Sequence, residues 1–157
     1  MKVISDDTDV FIVLVHFYQK CSLTCTLLME SSSNPRTLSG IGATAKQHAD
    51  IASQLLAAHA LTGCDTVAFM FGIGKAKAVK VLSSGCQLLK IGNPDMAMND
   101  VVREATQFVA RCYGCTTSES MSSVRYEVWL SKTSKRKTTG APKLKSLSQH
   151  PKRLSKL

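Results

Sequence analysis

The sequence predicts a small α/β fold in which a short parallel sheet is followed by several helices. Residues 2–5 form a short apolar segment with a polar end, as expected of a central, buried parallel strand that leads into a functional loop. Residues 23–29 suit a second strand, and residues 43–61 place apolar side chains at helical spacing. Strands followed by amphipathic helices therefore favour the α/β class.

The segment after the first strand has two possible interpretations. Thr8 or Asp9 can cap a helix that runs from residue 10 to about residue 18. The aliphatic and β-branched run over residues 10–15 would also suit a strand.

The turn residues at 31–35 predict a reversal of the chain after the second strand, so residues 36–41 can return as its hairpin partner. Gly63 ends the first long helix as a C-terminal glycine would. The predicted helices cover residues 43–61, 75–82, 86–91, 95–113 and 118–130.

Hydrophobic residues become sparse after residue 130, so we predict a folded domain over residues 1–130 and a basic, disordered tail over residues 131–157. The chain carries a formal charge of +9, and residues 131–157 hold nine Lys or Arg and no acid. Basic tails bind polyanions through counterion release, although a nuclear import signal or a solubilising end has the same composition. We expect an intracellular protein, in the nucleus rather than the cytoplasm.

No apolar run approaches the roughly 18 residues of a transmembrane span. Lys2 is soon followed by three aspartates, which is the wrong order for a signal peptide. The six cysteines are therefore expected to be reduced thiols. Cys112 and Cys115 could join Cys21 and Cys25 as zinc ligands, but buried core thiols are the simpler explanation, so we do not expect zinc.

Two acidic motifs and a glycine turn carry the candidate chemistry. Residues 5–9 are Ser-Asp-Asp-Thr-Asp, residues 63–65 are Gly-Cys-Asp, and residues 72–75 are Gly-Ile-Gly-Lys. Carboxylates in such loops are what Mg²⁺ or Mn²⁺ needs, and a glycine turn that opens a helix presents N–H groups to a phosphate. The structural alternatives are helix caps for the acids and a plain tight turn for the glycines.

These motifs, in this order, resemble the flap endonuclease-like 5′ nucleases of the PIN-like fold group. Residues 4–10 resemble the family's strand-end Asp-x-Asp segment, and residues 61–66 and 71–75 resemble its Gly-Cys-Asp turn and helix–three-turn–helix element. The strings DTDV and HALTGCDT also resemble animal proteins of mobile-element type. The likeness covers residues 1–90 well and residues 91–130 loosely.

The resemblance implies metal-dependent phosphodiester hydrolysis on DNA or RNA, with duplex or branched DNA as the favoured substrate. It implies Asp7, Asp9 and Asp65 as metal ligands, with Asp6 as an additional acid. The residues it implies for the nucleic-acid backbone are Gly72, Gly74, Lys75, Lys77 and Lys80. We assign no role to His59, which we expect in the core or at a helix end.

The chain departs from the family in its carboxylates. The family has further acids on an earlier strand and in a Glu-x-Glu segment, and this sequence begins at the Asp-x-Asp strand. Two ions about 4 Å apart need those acids, so we expect only the C-terminal half of a nuclease-like domain, weak or inactive alone. The alternatives are a nucleic-acid-binding module without catalysis and an interaction module that self-associates through exposed sheet edges.

Overall fold

A computed structural model of the chain describes residues 1–64, 67–115 and 120–134. Asp65 and the basic segment from residue 135 onward lie outside the described residues. The described part is mixed α/β, which confirms the predicted class. In chain order its elements are β1 (Lys2–Ile4), α1 (Thr8–Lys20), β2 (Leu28–Glu30), β3 (Leu38–Gly40), α2 (Ile41–Gln47), a 3₁₀ turn (Ala52–Gln54), α3 (Leu55–Thr62), α4 (Lys75–Ser83), α5 (Met98–Tyr113) and α6 (Met121–Ser134).

The three strands form one sheet in the order β1-β2-β3. β1 and β2 are parallel, with Val3 opposite Met29, and α1 makes the crossover between them. β2 and β3 are antiparallel, with Met29 opposite Ser39, so the predicted hairpin is confirmed. The sheet is therefore mixed rather than all parallel. The central position predicted for the first strand is wrong, because β2 lies in the middle, and Ile4 and Leu38 are exposed on the two outer strands.

The segment after β1 is a helix, which resolves the alternative of a strand. Asp7 has an extended backbone, and its side chain accepts a hydrogen bond from the backbone N–H of Asp9. This satisfies one of the free N–H groups in the first turn of α1. Val15 on the inner face of α1 is fully buried.

The predicted helix over residues 43–61 is wrong as a single element. α2 ends at Gln47, and the backbone N–H groups of Ile51 and Ala52 both donate to the carbonyl of His48, at 3.0 and 2.8 Å. This turn separates α2 from α3, and the apolar spacing continues across the break because Ile51 and Ala52 are both buried.

The helix predicted over residues 86–91, between α4 and α5, does not form. The structure describes all of this segment. Side chains from other elements accept its backbone hydrogen bonds. Leu88 N–H donates to Gln54 Oε1 at 2.6 Å, and the N–H groups of Leu89 and Lys90 donate to the Glu104 carboxylate at 3.1 and 2.7 Å. These tertiary contacts replace the local bonds that a helix would make.

The core consists of two groups of buried side chains. The larger group joins α1 to α5 and includes fully buried Ile41 and Phe108, and the smaller one packs Val124 and Val128 of α6 against Ala110 of α5. α6 continues to Ser134, past the boundary predicted at residue 130. Within residues 1–64, 67–115 and 120–134, no helix has the length and apolar composition needed to cross a membrane.

Candidate metal and phosphate site

The three aspartates after β1 contact three different partners. Asp6 turns towards the loop between β2 and β3, where its Oδ2 accepts from the Ser33 N–H at 3.0 Å and from the Ser32 hydroxyl. Hydrogen bonds from Ser31, Ser32 and Ser33 lower the pKa of Asp6 from 3.8 to about 2. Asp6 is therefore ionised at neutral pH and ties this loop to the end of β1.

Asp7 is the N-cap of α1, and its Oδ1 lies 2.7 Å from the backbone nitrogen of Asp9. The Asp7 N–H in turn donates to the Ser5 hydroxyl at 3.0 Å. The capping interpretation of this residue is thus realised in the structure. A capping carboxylate keeps lone pairs on its second oxygen, so the cap does not prevent cation binding.

A cleft of about 280 Å³ opens at the carboxyl end of β1 and β2. Asp6 and Asp7 lie on its wall, and Phe11 and Met29 form its apolar side. The other lining residues carry hydroxyl groups, namely Ser5, Thr8, Ser31, Thr37 and Ser39. Asp9 does not line this cleft, so the acidic motif divides between two environments.

Asp9 faces α3 instead. Its Oδ1 lies 2.5 Å from Nε2 of His59, although the two residues are 50 positions apart. His59 is buried, with 9% of its surface exposed, whereas the Asp9 side chain is 38% exposed. The imidazole therefore fixes one carboxylate oxygen from the protein side, and the carboxylate remains open to solvent on the other.

Lys75 binds the C-terminal end of α3. Its Nζ donates to the backbone carbonyls of His59, at 3.1 Å, and Gly63, and to the Thr62 hydroxyl at 3.1 Å. Burial lowers the pKa of Lys75, while electrostatic interactions with Cys64 and Asp9 oppose that shift. The ammonium group thus satisfies the free carbonyls at the end of α3 and lies within electrostatic reach of Asp9.

The second acidic motif begins where α3 ends. Gly63 has φ of 101°, and a Cβ there would lie 2.3 Å from Cα of Phe69. Only glycine fits this close approach. Cys64 and Val67 exchange both backbone hydrogen bonds at 3.1 Å, which pairs these two residues next to the Lys75 contact at Gly63.

The predicted phosphate turn is solvent-exposed at both glycines. Gly72 has φ of 72°, and space is open beside both Gly72 and Gly74. Gly74 is the N-cap residue of α4, and no side chain caps that helix. Lys77 and Lys80 are exposed on α4, whereas Lys75 is directed towards α3.

The Cys112-x-x-Cys115 pair is divided between the two core groups. Cys112 packs in the larger group and Cys115 in the smaller one, while Cys21 and Cys25 are exposed. Burial raises the pKa of Cys112 to about 11 and also raises the pKa of Cys115. Both thiols are therefore protonated at neutral pH.

The described residues bring Asp9 to the end of α3 but complete no metal centre by themselves. Among residues 1–64, 67–115 and 120–134, no three His, Cys, Asp or Glu side chains group together as metal ligands. Asp65, the third predicted ligand, lies outside this set. Sequence reasoning missed the part played by His59, because nothing in the local sequence links it to Asp9.

No protein family, curated protein or solved structure matched this chain in the three comparisons made.

Proposed function

We propose that this chain is a nuclease-like domain that binds a divalent cation and a phosphodiester backbone, with weak metal-dependent cleavage as its activity. The observation that carries the proposal is the contact between Asp9 and His59. It places the first acidic motif against α3, and the second acidic motif begins at the C-terminal end of that helix. Lys75 supports the same arrangement, because it bonds to the end of α3 and its charge interacts with Asp9.

Asp9 has the properties of a cation ligand. His59 holds its Oδ1, and no described residue donates a hydrogen bond to its Oδ2. An oriented, partly exposed carboxylate with a free oxygen suits Mg²⁺ or Mn²⁺, which keep several waters and need only one or two carboxylates. Asp65, which follows Cys64 in the chain, is the proposed second carboxylate. Asp7 is the proposed third, because its Oδ1 lies 2.7 Å from the Asp9 nitrogen even though its side chain lines the neighbouring cleft.

A bound divalent cation would supply Lewis-acid activation of the phosphoryl oxygen or of a water molecule. The residues of the chain position that chemistry. His59 orients Asp9, and Lys75 fixes the carbonyl groups at the end of α3, directly before Cys64 in the chain. Three carboxylates favour one ion rather than two, so weak activity follows from the donor set.

The second candidate function is nucleic-acid binding without catalysis, and the open start of α4 favours it. Gly72 and Gly74 leave space for a phosphate, and no side chain caps the free N–H groups of the first turn. Exposed Lys77 and Lys80 lie on the same helix. Such contacts would recognise the backbone rather than the bases.

Calorimetric titration of Mn²⁺ into the full chain tests the cation site. We expect Asp9→Asn and Asp65→Asn to weaken binding at least tenfold. Asp95→Asn, an exposed acid in the loop before α5, is the matched control and should bind as the wild type does. Equal binding by all four proteins would overturn the cation proposal.

Cleavage of a branched DNA in Mn²⁺, compared with binding of the same DNA in EDTA, separates the two functions. Cleavage that is lost in Asp9→Asn supports the nuclease-like domain. DNA binding in EDTA that survives Asp9→Asn but falls in Lys77→Glu and Lys80→Glu, with no cleavage by any protein, supports the binding module alone.

A further inference from the structure

The cleft at the carboxyl end of β1 and β2 is a space that the proposed cation site does not fill. Its volume is about 280 Å³, close to the lower end of the roughly 300–1,000 Å³ that is usual for small-molecule sites. Asp9, which carries the cation proposal, does not line it, and Asp7 is the residue that the two places share. The cleft therefore has room for a ligand of its own.

The charge of the cleft wall selects the sign of that ligand. Asp6 and Asp7 line the cleft, and none of the described lining residues is Lys, Arg or His. Asp6 is ionised at neutral pH, because hydrogen bonds from neighbouring serines lower its pKa to about 2. A phosphate or carboxylate group would be repelled by these two acids, so the cleft favours a cation.

The polar groups of the wall suit a ligand that donates several hydrogen bonds. Oδ2 of Asp6 accepts from the Ser33 N–H, and Oδ1 of Asp7 accepts from the Asp9 N–H. Because an ionised carboxylate has about four lone-pair sites, both acids can accept further bonds. The hydroxyl oxygens of the wall are additional acceptors, on Ser5, Thr8, Ser31, Thr37 and Ser39. An ammonium group, which has three donors and no acceptor, matches this wall.

The apolar side of the cleft distinguishes an organic cation from a metal ion. Phe11 and Met29 form this side, and Met29 is buried among the core residues. A Mg²⁺ ion keeps several of its waters and gains nothing from an apolar wall. A methylene chain attached to an ammonium group is stabilised when it leaves water for such a wall.

We propose that this cleft binds a primary alkylammonium ion, with Asp6 and Asp7 holding the charged end and Phe11 and Met29 contacting the alkyl chain. The same group occurs in free diamines and in the side chain of lysine, so the ligand is one of these two. The inference goes beyond the proposed function, because it requires neither Asp9 nor Asp65.

Calorimetric titration of n-butylammonium into the full chain, in about 0.15 M NaCl to screen loose ion pairing, tests the site. We expect saturable binding. n-Butanol has the same chain without the charge, and tetramethylammonium has the charge without N–H donors. Each should bind about tenfold more weakly than n-butylammonium, because each lacks one part of the charge-assisted hydrogen bonds.

The contribution of each carboxylate is measured with Asp6→Asn and Asp7→Ser, both of which should weaken n-butylammonium binding about tenfold. The serine of Asp7→Ser keeps a capping oxygen for α1, so this variant removes the charge without removing the cap. Asp95→Asn, an exposed acid outside the cleft, is the matched control and should bind as the wild type does. Circular dichroism verifies that every variant is folded.

Diaminobutane and acetyl-lysine-methylamide identify the source of the ammonium group. Tighter binding of diaminobutane assigns the cleft to free diamines, and tighter binding of the lysine derivative assigns it to a lysine side chain. The proposal is overturned if n-butanol binds as tightly as n-butylammonium, or if Asp6→Asn and Asp7→Ser both bind n-butylammonium as the wild type does.

Mn²⁺ titration of the same proteins keeps this test separate from the cation site. Asp9→Asn should bind n-butylammonium normally while it loses Mn²⁺ affinity, and Asp6→Asn should show the reverse. Loss of Mn²⁺ binding in Asp6→Asn, together with no n-butylammonium binding by the wild type, would make the cleft a metal site and would also overturn the proposal.

Discussion

Nε2 of His59 lies 2.5 Å from Oδ1 of Asp9, across 50 residues of chain. The contact joins the first turn of α1 to α3, and with Lys75 it connects the two acidic motifs. Among the described residues, no other side chain bonds to Nε2 of His59 or to Oδ1 of Asp9. The two side chains therefore form one interacting pair.

A double-mutant cycle measures the interaction energy of Asp9 and His59. Asp9→Asn and His59→Gln should each lower the free energy of unfolding, and their effects should be less than additive by about 1 kcal/mol because either change already breaks the contact. Urea unfolding of the four proteins gives the coupling. A cycle of Asp95→Asn with His59→Gln is the control, and a coupling of zero for the Asp9 pair would contradict the interaction.

The cap and ligand interpretations of Asp7 can be separated by one substitution. Asp7→Ala should cost about 1 kcal/mol of stability, because the Asp9 N–H loses its acceptor. Asp7→Ser keeps a capping oxygen and should retain nearly all of the stability. If Asp7 also binds Mn²⁺, Asp7→Ser will weaken the calorimetric affinity without changing unfolding, whereas unchanged affinity would restrict Asp7 to the cap.

Two glycines with positive φ provide a matched pair. Gly63→Ala should destabilise the protein by more than about 3 kcal/mol, since the new Cβ adds a clash with the Phe69 backbone to the conformational strain. Gly72→Ala meets open space and should cost only about 1 kcal/mol. Thermal and urea unfolding compare them, and similar losses would mean that Gly63 is not a point of close backbone approach.

Acid should weaken the contact between Asp6 and the loop at Ser31–Ser33. The folded-state pKa of Asp6 is about 2, below its ordinary 3.8, so the carboxylate contributes stability above pH 4 that disappears as the pH falls through 2. Asp6→Asn should therefore be less stable than the wild type at pH 7, and the difference should shrink between pH 4 and pH 2. A difference independent of pH would show that Asp6 does not act through its charge.

Local signals were sufficient for the first part of the fold. A capping residue before an apolar run predicts the start of α1, although the cap is Asp7 in the structure and not Thr8 or Asp9 as predicted. The turn residues at 31–35 predict the β2–β3 hairpin. Both predictions depend on backbone preferences a few residues long. The break at His48 could not be predicted in this way. The apolar spacing continues through it, and the sequence contains no proline or glycine there.

The sequence predicts the types of residue in the candidate site but not the contacts between them. The acids and the glycine turn are visible in the sequence, whereas the partner of Asp9 is set by how α1 packs on α3. Lys75 follows the glycine turn, and the resemblance implies it as a residue that binds the nucleic-acid backbone. In the structure its ammonium bonds to the end of α3, where the free carbonyls need a donor, and the local sequence does not predict that contact.

The segment between α4 and α5 has a consequence for slow motions of the protein. The amide of Leu88 is buried, and its acceptor is the side chain of Gln54, 34 residues earlier. Fraying of a helix end cannot release such a hydrogen, because exchange requires the bond to the buried Gln54 side chain to break. The hydrogen-exchange rate of the Leu88 amide therefore measures how often that part of the core opens, in a region with no helical bonds of its own.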